Sequence, residues 1–228
     1  MATRFLLYLS ALSVVWGDTK EDLEILAAAY PGAFELVPGQ GIRLPGGTLL
    51  PYDDGKQKDF ETLLEDPDLE DMLRLPYPPG APEKPPALNE DPGRFRPDAF
   101  FRALYGRNEA EIRSALRPVQ WMPSLQGPRL LISTRFGIDK KLKNIIADLE
   151  ALGPEYHPWL MPPGGSFNYR PVAGTSRLSP HSFGIAVDIA VPSSHYWLWE
   201  KNGAGEYKNS IPWAIVEIFE KYGFIWGG

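Results

Sequence analysis

The chain is expected to fold as α+β: a single domain with a small antiparallel sheet flanked by helices, preceded by an irregular, proline-rich N-terminal half. Helical stripes and short strand-like runs occur without regular alternation, which suggests α+β. The stretch 76–97 holds eight prolines and can form neither an internal helix nor a central strand. With 228 residues, 43% of them hydrophobic and 12% aromatic, the chain can bury one substantial core.

The elements follow in order. "MATRFLLYLSALSVVWGD" has a basic start at Arg4, an apolar run from Phe5 to Trp16, and Val15 and Gly17 where a signal-peptidase site requires small residues. Residues 1–17 are therefore expected to be a signal peptide and the protein to be exported. The run is too short to span a bilayer, which takes about 20 residues, and no other segment is long enough, so no membrane span is expected in the mature chain. A helix is expected from Thr19 to Ala29, stopped before Pro31-Gly32. "IRLPGGTLLPYDDG" reads as a hairpin turning at Pro-Gly-Gly, followed by short acidic helices to about Leu75. Residues 18–97 then form an N-terminal extension ending in a surface connector, and residues 98–228 form the main domain.

In that domain "RPDAFFRALYG" and "NEAEIRSALRP" read as two short helices, the second with Asn108 and Glu111 in capping-box spacing. "RLLIS" (129–133) is a strand. Leu142, Ile145, Ile146, Leu149 and Leu152 recur at helical spacing, as do Ile211, Ile215, Ile218, Phe219 and Tyr222 near the end. These stripes signal core packing and nothing more.

Composition excludes several functions. The net charge is −6 with no basic run, so nothing supports a nucleic-acid partner. The absence of cysteine excludes thiolate metal sites, disulfides and a cysteine nucleophile.

Chemistry concentrates in "LSPHSFGIAVDIAV", residues 178–191. Strict alternation places Phe183, Ile185, Val187, Ile189 and Val191 on one strand face, and Gly184, Ala186, Asp188 and Ala190 on the other. A carboxylate on a buried strand must be paired, neutralised or coordinated to a metal, and the small residues beside it leave room for a ligand. His181 has the wrong parity to share that face on an unbroken strand. Pro180 ends regular pairing and lets the imidazole turn back toward Asp188. Two readings stand at this point: a hydrogen-bonded His181–Asp188 pair, or two zinc ligands.

The segment Ser179–Asp188 has the pattern S-x-H-x-x-G-x-A-x-D and resembles the signature of the D-alanyl-D-alanine carboxypeptidase-like zinc peptidases. "GGSFNYRPVAGTSRLS" upstream is similar to the lead-in of their VanY-type and endolysin-type branch. "IVEIFEKYGFIWGG" is similar to the helix and strand before their last site motif. The likeness runs from about Val119 to Gly228. It implies a peptidase of peptidoglycan stem peptides in the periplasm or outside the cell. It also implies Zn2+ held by His181 and Asp188, Arg170 as the group that binds substrate and steadies the oxyanion, and Ser179 as a polar contact to the peptide. The family pattern continues into D-x-x-H or E-x-x-H, which supplies the general base and third ligand; these are expected beyond Gly228. His157, His195, Glu217 and Glu220 do not match that third position, and both glutamates are expected on a solvated helix face. Carboxypeptidase and endopeptidase activity are both compatible with the likeness. The alternatives are an exported module that binds wall peptides without cutting them, and a structural domain with a plain His–Asp hydrogen bond.

Overall fold

The structure is a computed structural model that describes residues 3–7, 19–81, 93–193 and 210–227. It is α+β, with helices packed around small antiparallel sheets. The expected helix forms as α1 (Thr19–Ala29), with Glu21 and Asp22 in its first turn, where acids favour the positive end of the helix dipole. A three-stranded meander follows: β2 (Glu35–Val37), β3 (Gly41–Arg43) and β4 (Leu49–Pro51). The β3–β4 turn is the expected Pro-Gly-Gly hairpin, closed by Leu44 and Thr48. Two short helices come next, α2 (Phe60–Glu65) and α3 (Leu69–Leu73), the latter with a full capping box from Asp68 and Asp71.

Lys58 lies between these helices and the meander. Its side chain is 2% exposed, and its ammonium stands 3.3, 3.1 and 2.6 Å from carboxylate oxygens of Asp54, Asp68 and Asp71. Burial works against this charge, but hydrogen bonds to Asp71 and Asp68 outweigh it and raise the lysine well above its ordinary range.

Beyond the connector, α4 (Asp98–Tyr105) and α5 (Glu109–Ser114) form where the pair is expected, the second stopping short because residues 116–118 enter a strand, and the Asn108 side chain caps α5 by accepting from the Glu111 N–H. β5 (Leu116–Gln120) and β6 (Arg129–Ser133) form a two-stranded ribbon under α6 (Ile138–Glu150), which buries Ile138, Leu142, Ile145, Ile146 and Leu149. Each such side chain contributes roughly 1.5–3 kcal/mol. The short α7 (His157–Leu160) follows. Near the end come β7 (Ala186–Ile189), α8 (Trp213–Lys221) and β8 (Phe224–Trp226).

The third sheet has the order β7-β1-β8, with β1 (Thr3–Leu7) antiparallel to both neighbours and Arg4 in register with Asp188. Residues read from the sequence as part of a leader thus supply the middle strand, and cleavage after Gly17 would take it out. Among the described residues no helix is long and apolar enough to cross a membrane.

One core joins the two halves of the chain. Tyr30 of the segment after α1 meets Phe100 and Phe136 edge-on, and Phe101 and Tyr105 of α4 pack against Phe183 at 6.1 and 5.9 Å between ring centroids. The connector is also tied down. Glu220, expected on a solvated face, accepts hydrogen bonds from the Tyr77 hydroxyl and the Gly80 N–H, which lays residues 77–80 across α8.

Candidate metal centre

The local sequence explains how His181 reaches Asp188. Ser179 is extended and caps a 3-10 turn over Pro180–Phe183, its hydroxyl accepting from the His181 N–H. Proline at the first position of that turn supplies the fixed φ that a helical start needs. Gly184, at φ 67°, closes the turn through its N–H to the His181 carbonyl and turns the chain into β7. His181 Nε2 and Asp188 Oδ1 then stand 3.2 Å apart, with side chains 4% and 19% exposed.

The strand is shorter than the alternation implies. Phe183 belongs to the turn, and only Ala186–Ile189 are strand. The small residues also differ from expectation. A Cβ on Gly184 would meet Leu116 Cδ2 at 2.5 Å and the Ser133 nitrogen at 3.2 Å. Gly184 therefore permits close approach to the β5–β6 ribbon, and its carbonyl accepts from the Ser133 N–H at 2.9 Å. Ala186 is buried at 1% exposure. Neither residue clears a groove.

The segment 164–170 runs alongside the site. Gly164 N–H donates to the Asp188 carbonyl at 2.6 Å, and the Asp188 N–H donates to Gly165 at 2.8 Å. The Asn168 N–H donates to the His181 carbonyl at 3.1 Å, and the Ser166 carbonyl lies 2.5 Å from His181 Nδ1. A carbonyl only accepts, so Nδ1 carries a proton; with a single proton on the ring, Nε2 presents its lone pair toward Asp188.

Nε2 and Oδ1 are both buried, and neither makes a hydrogen bond. Two acceptors thus face a common point, a costly arrangement unless a cation or an added proton sits between them. With the single ring proton on Nδ1, the plain hydrogen-bonded pair does not form. The separation suits a metal: two donors of a tetrahedral zinc with bonds of about 2.1 Å stand roughly 3.4 Å apart. A ligand histidine whose other ring nitrogen is held by a backbone carbonyl is also the usual arrangement around zinc. The two residues fit the ion as part of its ligand set.

The other candidates distribute as follows. Arg170 is anchored through its backbone, its N–H donating to the Ser182 hydroxyl at 2.9 Å and its carbonyl accepting from that hydroxyl and from the Ser179 N–H. The residue as a whole is half-buried, and its guanidinium donates to the Pro171 carbonyl at 3.4 Å on the exposed side. Ser179 is fully buried, and its hydroxyl faces the main chain of the turn. His157 opens α7 half-buried, Glu217 is exposed, and His195 lies outside the described residues. Among the described residues no third His, Asp or Glu joins His181 and Asp188; the three-acid clusters are those around Lys58, Asp53-Asp54-Asp68 and Asp68-Glu70-Asp71. The sequence reading did not single out Ser166, Ser182 or Lys58. Ser166 acts through its carbonyl, which every residue type possesses, so no residue-type signal could mark it.

Residues 173–228 match the family model described as D-alanyl-D-alanine carboxypeptidase. The matched span contains Ser179, His181, Gly184 and Asp188 together with α8 and β8, and it supports the family resemblance over that part of the chain. It is narrower than the span from Val119 over which the likeness was read. No curated protein and no solved structure matches the chain.

Proposed function

We propose that this chain is a zinc-dependent peptidase of peptidoglycan stem peptides, a D,D-carboxypeptidase or endopeptidase, acting in the bacterial cell envelope. One observation carries the reading: two buried acceptor atoms, His181 Nε2 and Asp188 Oδ1, converge without a hydrogen bond in the stretch that matches a D-alanyl-D-alanine carboxypeptidase family. His181 and Asp188 would hold the zinc. When bound, zinc supplies a water of pKa near about 7 and polarises the scissile carbonyl. The turn Ser179–Gly184 orients the imidazole, and the hydrogen bonds from Gly164 and to Gly165 fix Asp188. Arg170 offers an exposed guanidinium contact, suited to a peptide carboxylate or to the negative charge that develops on the carbonyl oxygen. Ser179 contributes by shaping the turn. In the family pattern the general base and third ligand come from an acid-x-x-histidine segment; among the described residues no third His, Asp or Glu stands beside the pair.

The second reading is a module that binds wall peptides without cutting them. It is favoured by the lack of a third ligand beside the pair among the described residues. Incubation with a stem pentapeptide ending in D-alanyl-D-alanine, and with a cross-linked muropeptide, separates the two. Mass spectrometry should show zinc-dependent loss of D-alanine or scission of the cross-link, abolished by chelation and restored by zinc. Saturable peptide binding with no product under zinc would establish the binding module instead.

A further inference from the structure

We propose that Ser166 is a positioning residue of the His181–Asp188 centre, its hydroxyl anchoring the peptide unit that holds His181 in the metal-competent tautomer. The inference rests on the zinc reading above and concerns what keeps the centre open to a cation. Ser166 is 7% exposed, and its hydroxyl donates to the Leu131 carbonyl of β6 at 3.0 Å. Its own carbonyl faces His181 Nδ1 at 2.5 Å. One residue thus links the ribbon strand β6, outside the histidine–aspartate motif, to the imidazole inside it. Gly164 and Gly165 on one side are bonded to Asp188, and Asn168 on the other is bonded to the His181 carbonyl. Phe167 is held separately, with the Arg113 guanidinium 4.6 Å from its ring centroid.

The alternative tautomer shows why the anchor matters. With its proton on Nε2, His181 could donate to Asp188, and the two side chains would satisfy each other instead of a metal. The Ser166 carbonyl opposes that state because it needs a donor at Nδ1. Its aim depends on the Ser166 backbone, and the bond from the Ser166 hydroxyl to Leu131 limits rotation there. Loss of the hydroxyl frees the carbonyl to swing and lets the pair close on itself.

The test compares wild type, Ser166→Ala and Ser166→Thr in the full chain. Ring 15N shifts of His181 in the metal-free protein should show a bare Nε2 in wild type, a population shifted toward protonated Nε2 in Ser166→Ala, and recovery in Ser166→Thr. Zinc affinity, measured by competition with a chelator, should fall about 10–100-fold in Ser166→Ala, the usual effect of losing a group that orients a ligand, and return with threonine. Should Ser166→Ala fail to fold, Ser166→Cys, with its weaker donor, gives the same readouts. An unchanged ring spectrum and an affinity within about twofold of wild type would overturn the inference. The ring spectrum needs no metal, so a chain that shows the tautomer shift yet binds no zinc would refute the functional reading while the positioning role stands.

Discussion

Gly184→Ala perturbs the hinge between the histidine turn and the aspartate strand by one methyl group. The backbone at φ 67° lies in the left-handed region, where a residue with a Cβ costs roughly 1–2 kcal/mol. The new Cβ would also stand 2.5 Å from Leu116 Cδ2 and 3.2 Å from the Ser133 nitrogen. Leu116 is 6% exposed and packed, so relief requires movement in a full core, typically about 1–3 kcal/mol. The sum is about 2–5 kcal/mol, and at roughly 2–4 °C per kcal/mol for a chain of this size Tm should fall by about 4–20 °C. Calorimetry on wild type and Gly184→Ala measures it. A second background separates the two causes. With Leu116→Ala already present the methyl has space, and Gly184→Ala should then cost only the conformational part, about 1–2 kcal/mol. A Tm within about 2 °C of wild type, or an equal cost in both backgrounds, would refute the argument that Gly184 is required for close approach to β5.

The remaining expectations are more direct. Lys58→Met strands Asp68 and Asp71, whose side chains are both 7% exposed, and should cost about 3–5 kcal/mol in chemical denaturation, part of it recovered by adding Asp71→Asn. The raised lysine fixes the pH sign. Its stabilisation is fully present below the unfolded lysine value of about 10.4 and fades only as pH rises through the higher folded value, so wild type and Lys58→Met should keep a constant difference between pH 6 and about 9; a difference that vanishes within that window contradicts the cage. Removal of residues 1–17 takes β1 from between β7 and β8, and the shortened chain should melt on the order of 10 °C lower. An unchanged Tm would show that β1 adds nothing and would favour the leader reading.

The helices were legible because their apolar spacing coincides with burial: the stripe Leu142, Ile145, Ile146 and Leu149 is the buried face of α6. β5 escaped because Pro118 argues against a central strand, and the strand survives by lying in a two-stranded ribbon. β1 escaped because a short apolar run after a basic residue reads equally as a leader. At the site, Pro180 made the return of His181 toward Asp188 legible. The length of the strand was not, because the period-two pattern extends through a turn whose Phe183 is fixed by Phe101 and Tyr105. Contacts made by main-chain atoms, such as the Ser166 carbonyl on His181, leave no trace in residue type. Lys58 was hidden for a related reason: in an acidic loop a lysine looks solvated until the fold closes three carboxylates around it.

Zinc content is the most direct measurement of the central claim. The full chain, its His181→Ala and Asp188→Ala variants, and a Glu217→Ala control would be equilibrated with zinc, passed over a desalting column and assayed for metal and protein together. The account predicts about one zinc per chain in wild type and control, and a loss of most of it in each site variant, since each removes a ligand. Equal zinc in all four proteins, or none in wild type, would contradict it.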